Sequence, residues 1–276
     1  MVEIGKYSEL EVLREVDFGF YLDGGPLGEI LLPNNSVQGS CRVGDLIRVF
    51  IYLDSEDRLI TTMEKPYVEV GDFALLRVAA VESVGAFMDW GLVKDLLVPF
   101  SEQKQPLNVG RSYIVYVYLD DKSERIVAST KLDRFLNKTP ASYENGDEVD
   151  LLIARRTDLG YNAIINGAHW GVLYENQVFQ RLDVGQKITG YINKMRGDEK
   201  IDLLLEKPGY EKVDGMAGEI FDLLKENDGF LAVTSKSSPE EIHNLFGMSK
   251  KNFKKALGAL YRKRLVLLED DGIRQV

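Results

Sequence analysis

The chain has 276 residues but only one cysteine, Cys41, and two histidines, His169 and His243. A single cysteine excludes an internal disulfide and fits a reducing compartment. So few nitrogen and sulfur ligands leave nothing to build a structural zinc site, and no metal or cofactor is expected. No apolar run approaches the roughly 20 residues that cross a bilayer, so no membrane association is expected. The start, MVEIGKYSEL, lacks the basic and apolar regions of a secretory signal, so the expected location is cytoplasmic. P-loop and GxSxG patterns are missing. The two histidines are isolated, His169 in an expected loop and His243 in a short helix. No enzymatic activity is expected.

A general excess of positive charge is missing too. The net charge is −10, which excludes a uniformly basic nucleic-acid coat. The acid is unevenly spread: residues 1–66 carry −6, 67–139 carry −1, 140–212 carry −3 and 213–276 carry 0. Any polyanion-binding surface must therefore be a local stripe.

What the chain does have is an internal repeat. Gly19, Gly85 and Gly160 are separated by 66 and then 75 residues. Gly44, Gly110 and Gly185, and likewise Gly5, Gly71 and Gly146, keep the same two spacings. A unit of about 65–75 residues can hold its own core, so these are tandem domains rather than solenoid turns. In the second copy, DFALLRVAAV, AFMDWG, LLVPFSE, YIVYVYL and Arg125–Ser129 read as five short strands. Five strands with no room for a long helix suit a small closed or partly open barrel, which removes exposed edges. Phe50, Tyr116 and Tyr191 occupy one equivalent position, and strand alternation predicts that they fill the barrel cores. Trp90 and Trp170, each before a glycine, fit either turn packing or the rim of a ligand site.

The second copy carries Val84-Gly85-Ala86-Phe87-Met88 followed by Leu97-Val98-Pro99-Phe100-Ser101-Glu102. This pattern resembles the S-one domain, an OB-fold RNA-binding repeat. The resemblance implies aromatic side chains on an RNA-facing surface at three places. In register these are Phe18, Tyr21 and Pro33; Val84, Phe87 and Pro99; and Leu159, Asn162 and Tyr174. Exposed rings there can stack on any nucleobase. Phosphate contacts need cations as well, and Arg77, Arg155 and Arg156 lie in the corresponding first strands. The candidate RNA-binding residues are therefore Phe18, Tyr21, Arg77, Phe87, Tyr174, Arg155 and Arg156.

After Pro208-Gly209 the hydrophobic period changes from strand to helix. Met216, Ile220, Leu223 and Leu224 predict one helical face, ended by Asp228-Gly229. Ser238-Pro239-Glu240-Glu241 combines an N-cap, a first-turn proline and a capping-box glutamate. Ser249 caps a third helix, expected over 250–264, and a D-G turn joins a terminal hairpin. Helix, strand, helix, helix, hairpin is a winged-helix layout, in which the third helix is the recognition element. That helix is basic, with Lys250, Lys251, Lys254, Lys255, Arg262, Lys263 and Arg264, and no acid occurs from Ile242 to Leu268. Lysines at a helix N-terminus oppose the macrodipole, which points to a polyanion partner.

The expected architecture is mainly β with a small α+β C-terminal domain. Three five-stranded OB-fold barrels (1–66, 67–139, 140–212) precede a winged helix (213–276). Taken whole, with Phe246-Gly247-Met248-Ser249-Lys250-Lys251 and Asp271-Gly272-Ile273 in its C-terminal part, the chain resembles the conserved virulence factor B family. That resemblance implies a cytoplasmic bacterial protein that binds RNA with consequences for gene expression and has no known catalytic residue. Stacking and phosphate contacts on the barrels are expected to hold single-stranded RNA. Two other readings stand beside it: a protein-interaction adaptor with degenerate barrels, and a DNA-binding regulator acting through the winged helix.

Overall fold

The structure is a computed structural model of the chain and describes residues 2–178, 180–197, 200–205 and 215–276. The Pro208-Gly209 break and the 212/213 boundary lie outside the described residues. The chain divides into two compact units, Met1–Leu205 and Glu206–Val276.

The first unit is three closed barrels. The first has β1 (Tyr7–Val16), β2 (Gly19–Asp23), β3 (Glu29–Pro33), β4 (Leu46–Leu53) and β5 (Leu59–Thr62). The second has β6 (Phe73–Glu82), β7 (Gly85–Asp89), β8 (Leu96–Pro99), β9 (Ser112–Leu119) and β10 (Ile126–Ser129). The third has β11 (Glu148–Thr157), β12 (Gly160–Ile165), β13 (His169–Tyr174), β14 (Lys187–Met195) and β15 (Ile201–Leu204). Each barrel closes in one order, with its first strand between the second and fourth and its third strand parallel to its fifth.

The glycine anchors have a steric cause. At Gly19, Gly85 and Gly160 an added Cβ would run into the carbonyl oxygen of Leu32, Val98 or Leu173 on the neighbouring strand. Only glycine lets those two strands approach so closely. The bulges repeat as well. The first strand slips register between Val12 and Arg14, between Val78 and Ala80, and between Ile153 and Arg155.

Phe50, Tyr116 and Tyr191 do not fill their own barrels. The interior of the first barrel takes Ile47, Val49 and Ile51 from β4, while Phe50 and Tyr52 face outward. Both are buried because they join the core of the second barrel, where Phe50 meets Trp90 edge-on at 5.7 Å. Tyr116 likewise points outward and stacks on Phe135 at 4.2 Å, beside a cluster that joins barrels two and three. Tyr191 is half-exposed, and its hydroxyl donates to Glu148. Alternation fails as a guide here because burial of both strand faces leaves a continuous apolar run. Trp90 is therefore packing.

His169 corrects another expectation. It opens strand β13 rather than lying in a loop, and it is buried. Nε2 lies 2.8 Å from the Thr139 carbonyl and so donates, while Tyr143 Oη sits 2.9 Å from Nδ1. The ring is a satisfied structural group.

The second unit has α1 (Met216–Glu226), β16 (Phe230–Leu231), α2 (Pro239–Phe246), α3 (Lys250–Arg262), β17 (Val266–Leu268) and β18 (Ile273–Gln275). Its sheet order is β16-β18-β17. Ser238 Oγ accepts from Glu241 N–H and Ser249 Oγ from Asn252 N–H, so both caps form. The buried face of α1 uses Ala217, Ile220 and Leu224, whereas Met216 is exposed. Helix α3 ends earlier than expected, at Arg262. Lys263 caps it, and Arg264 adopts a left-handed conformation with φ of 55°. No described helix is long and apolar enough to cross a membrane.

Candidate nucleic-acid interface

The three expected ligand places form one motif in every barrel. Tyr21, Phe87 and Asn162 occupy the same outward-facing position on the second strand, between buried neighbours. Gly19 pairs with Pro33, Gly85 with Pro99 and Gly160 with Tyr174, which sets the third place. Phe18, Val84 and Leu159, in the first place, are exposed. Tyr21, Phe87 and Tyr174 are half-exposed and are not sealed inside the barrels.

The bulge places one residue of the first strand directly opposite the ring position. The pairs are Arg14 with Tyr21, Ala80 with Phe87 and Arg155 with Asn162. In barrel one the Arg14 guanidinium lies 3.8 Å over the Tyr21 ring and is held there by Glu29 at 2.8 Å. The hydrogen bond to Glu29 raises the Arg14 pKa further, and Phe18 stands edge-on to Tyr21 at 6.5 Å. In barrel two, Ala80 is too short to cover Phe87. That ring lines a cleft of about 200 Å³ with Val84, Lys94 and Arg125. Burial lowers the Lys94 pKa, and its ammonium donates to the Asp54 carbonyl at 2.6 Å. Arg125 pairs with Asp57 across the junction between barrels one and two. Arg77 is exposed on β6, opposite Asp89.

In barrel three, Arg155 bonds the Asn162 side-chain oxygen at 3.0 and 3.1 Å, with the amide oriented to suit. Arg156 pairs with Glu175 at 2.9 Å. Tyr174 has the Arg196 guanidinium 5.6 Å over its ring, and Asp202 holds that guanidinium at 2.9 Å. The structure thus groups Phe18 with Tyr21, and ties Arg156 to Glu175, the residue that follows Tyr174. Sequence reasoning did not single out Arg14, Ala80 or Arg196. A signal for the first two was present, since Arg14, Ala80 and Arg155 keep the 66 and 75 spacing of the glycines.

In the second unit, Lys251, Lys254, Lys255, Tyr261 and Arg262 are exposed along one stripe of α3. Lys250 is partly covered, its ammonium donating to the Lys236 carbonyl at 3.2 Å. Gly258 lies in the middle of the stripe, and an added Cβ there would meet open space. Lys263 and Arg264 follow the helix rather than extend it. The hairpin tip after the exposed Leu267 and Leu268 is acidic, with Glu269, Asp270 and Asp271.

Family comparisons agree with this geometry. Residues 4–64 and 70–131 match the S1 domain, and residues 218–274 match the CvfB-like winged helix domain. Conserved virulence factor B of Staphylococcus saprophyticus is 23% identical over 280 residues, covering 98% of this chain and 93% of that protein. The chain belongs to the conserved virulence factor B family. Another relative, the uncharacterized protein YitL of Bacillus subtilis, is 28% identical over 280 residues, covering 96% of this chain and 91% of that protein. A solved multidomain protein with nucleic acid binding domains from Streptococcus pneumoniae TIGR4 is 23% identical, with a TM-score of 0.45 over 99% of this chain and 98% of that chain. S1 and winged-helix domains are nucleic-acid-binding types, and neither matching model is a catalytic one.

Proposed function

We propose that this member of the conserved virulence factor B family is a non-enzymatic, cytoplasmic RNA-binding regulator of gene expression that holds single-stranded RNA. The proposed division is 1–66, 67–139, 140–212 and 213–276. The observation that carries the reading is the Ala80–Phe87 pair, which leaves an outward-facing ring bare beside Lys94 and Arg125. A bare ring of this kind stacks a base at about 1–3 kcal/mol, while the cations draw in the backbone. Arg77 extends the path on the same barrel, and Phe18, Tyr21, Tyr174, Arg155 and Arg156 extend it over the neighbouring barrels. Lys250, Lys251, Lys254, Lys255, Arg262, Lys263 and Arg264 add a second polyanion contact from the winged helix.

The decisive experiment is competition between single-stranded RNA, single-stranded DNA and duplex DNA of equal length, at two stated salt concentrations. Preference for single-stranded RNA, weakened by Phe87→Ala, supports the reading. Duplex DNA winning transfers the activity to α3 acting as a DNA-recognition helix. A second reading, contact with a protein partner, is favoured by one observation. The exposed Leu267 and Leu268 lead into an acidic tip that repels phosphate. No nucleic-acid binding by any of the three probes would leave that reading standing alone.

A further inference from the structure

The two junctions between barrels are built differently. At the first, Phe50 and Tyr52 merge with the core of barrel two, and Trp90 is sealed. At the second, the apolar contact is a separate patch of Phe73, Ile114, Leu136, Leu152, Ala154 and Ile164. Beside that patch lies a cleft of about 490 Å³, within the range of small-ligand sites. Leu107, Ile114, Leu132 and Ala154 contribute its apolar lining.

One wall is Trp170, half-exposed in contrast to Trp90. Its orientation is fixed, because Nε1 donates to Asp133 Oδ1 at 2.9 Å and its backbone N–H to Asn137 Oδ1 at 3.1 Å. Two cations also line the cleft. Lys104 lies 3.4 Å from Asp133, and the Arg155 guanidinium sits 5.3 Å over the Trp170 ring. Gln105 and Thr130 add hydrogen-bonding groups. An apolar lining, a fixed indole, polar groups for a ring edge and two cations together match a flat heterocycle carrying a phosphate. A purely apolar ligand would use neither cation.

We propose that the cleft between barrels two and three captures one nucleotide of a bound strand, its base against Trp170 and its phosphate at Lys104 and Arg155. This rests on the RNA-binding reading and names a site outside the three-place motif of each barrel. Arg155 connects the two, because it bonds Asn162 at the ring position of barrel three and also lines the cleft. A strand crossing the outer face of that barrel would turn inward at Arg155.

The chain has two tryptophans, Trp170 in this cleft and the buried Trp90 bordering the separate Phe87 cleft, so comparison with Trp170→Phe assigns the signal. The full chain is titrated with AMP, adenosine and a labelled 12-nucleotide RNA, following tryptophan fluorescence and label anisotropy separately. AMP should quench saturably, with adenosine at least about tenfold weaker because it lacks the phosphate. The quench should vanish in Trp170→Phe, which keeps an apolar ring at the junction. The double variant Lys104→Gln, Arg155→Gln should lower AMP affinity to that of adenosine. If the RNA binds by anisotropy while neither it nor AMP alters Trp170 emission, the cleft proposal is overturned and the RNA-binding reading survives. If AMP quenches but the 12-mer does not bind, the RNA-binding reading fails and takes this proposal with it, leaving a site for free nucleotides only. Silence from both probes in both measurements overturns both.

Discussion

Barrels one and two share strand order, bulge and glycine anchors, yet present opposite surfaces to solvent. In the first, Arg14 lies on Tyr21 and is tied down by Glu29. In the second, the corresponding pair is Ala80 and Phe87, and Ala80 puts no guanidinium over the half-exposed ring. One side chain, placed opposite the ring by a shared bulge, decides whether the protein's own guanidinium lies over that ring. Charge points the same way, since residues 1–66 carry −6 and residues 67–139 carry −1. A repeated fold need not repeat its function.

Phe87→Ala is the direct test of the bare platform. It should weaken single-stranded RNA binding by about 1–3 kcal/mol, measured by fluorescence anisotropy, with little change in thermal stability because the ring is only half-buried. Ala80→Arg should convert barrel two into a likeness of barrel one. An added guanidinium over Phe87 competes with the base, and the expected loss is about 1 kcal/mol in spite of the extra positive charge. Improved binding by that variant would mean that charge, not the open ring, limits the site.

Tyr21→Ala should cost less than Phe87→Ala, under about 1 kcal/mol, because Arg14 already covers one face of the ring. An equal loss from both variants would remove the distinction between the barrels. The winged-helix contribution must be separable from these effects. Lys251→Gln, Lys254→Gln and Lys255→Gln together should flatten the salt dependence of single-strand binding, whichever barrel variant carries them. The log–log slope should fall by about 0.7 for each phosphate that is no longer neutralised. The smallest effect belongs to Gly258→Ala. With open space for the methyl group, it should stabilise α3 by about 0.5–1 kcal/mol in a denaturant titration. A simultaneous drop in RNA affinity would show that a phosphate approaches the helix backbone there.

The repeat, the five-strand course of each copy and the winged-helix order were legible in the sequence, because glycine spacing, strand composition and capping residues act locally. Ser238 and Ser249 cap the helices they were expected to cap. The three-place motif was legible too, since its register follows from the glycines. The two-sided burial of β4 and β9 was not legible. Phe50 and Tyr116 read as core, but each faces away from its own barrel. Their partners, Trp90 and Phe135, come from other segments of the chain, and no local period reveals them.

The number of barrels, and the place of each ring and cation along its strand, are local properties of the chain, because turn sterics and alternation set both. Which rings are bare, which are capped by arginine and where a cleft remains between barrels are properties of the folded molecule. They depend on side chains far apart in the chain competing for the same surface, and that competition is settled only when the barrels pack.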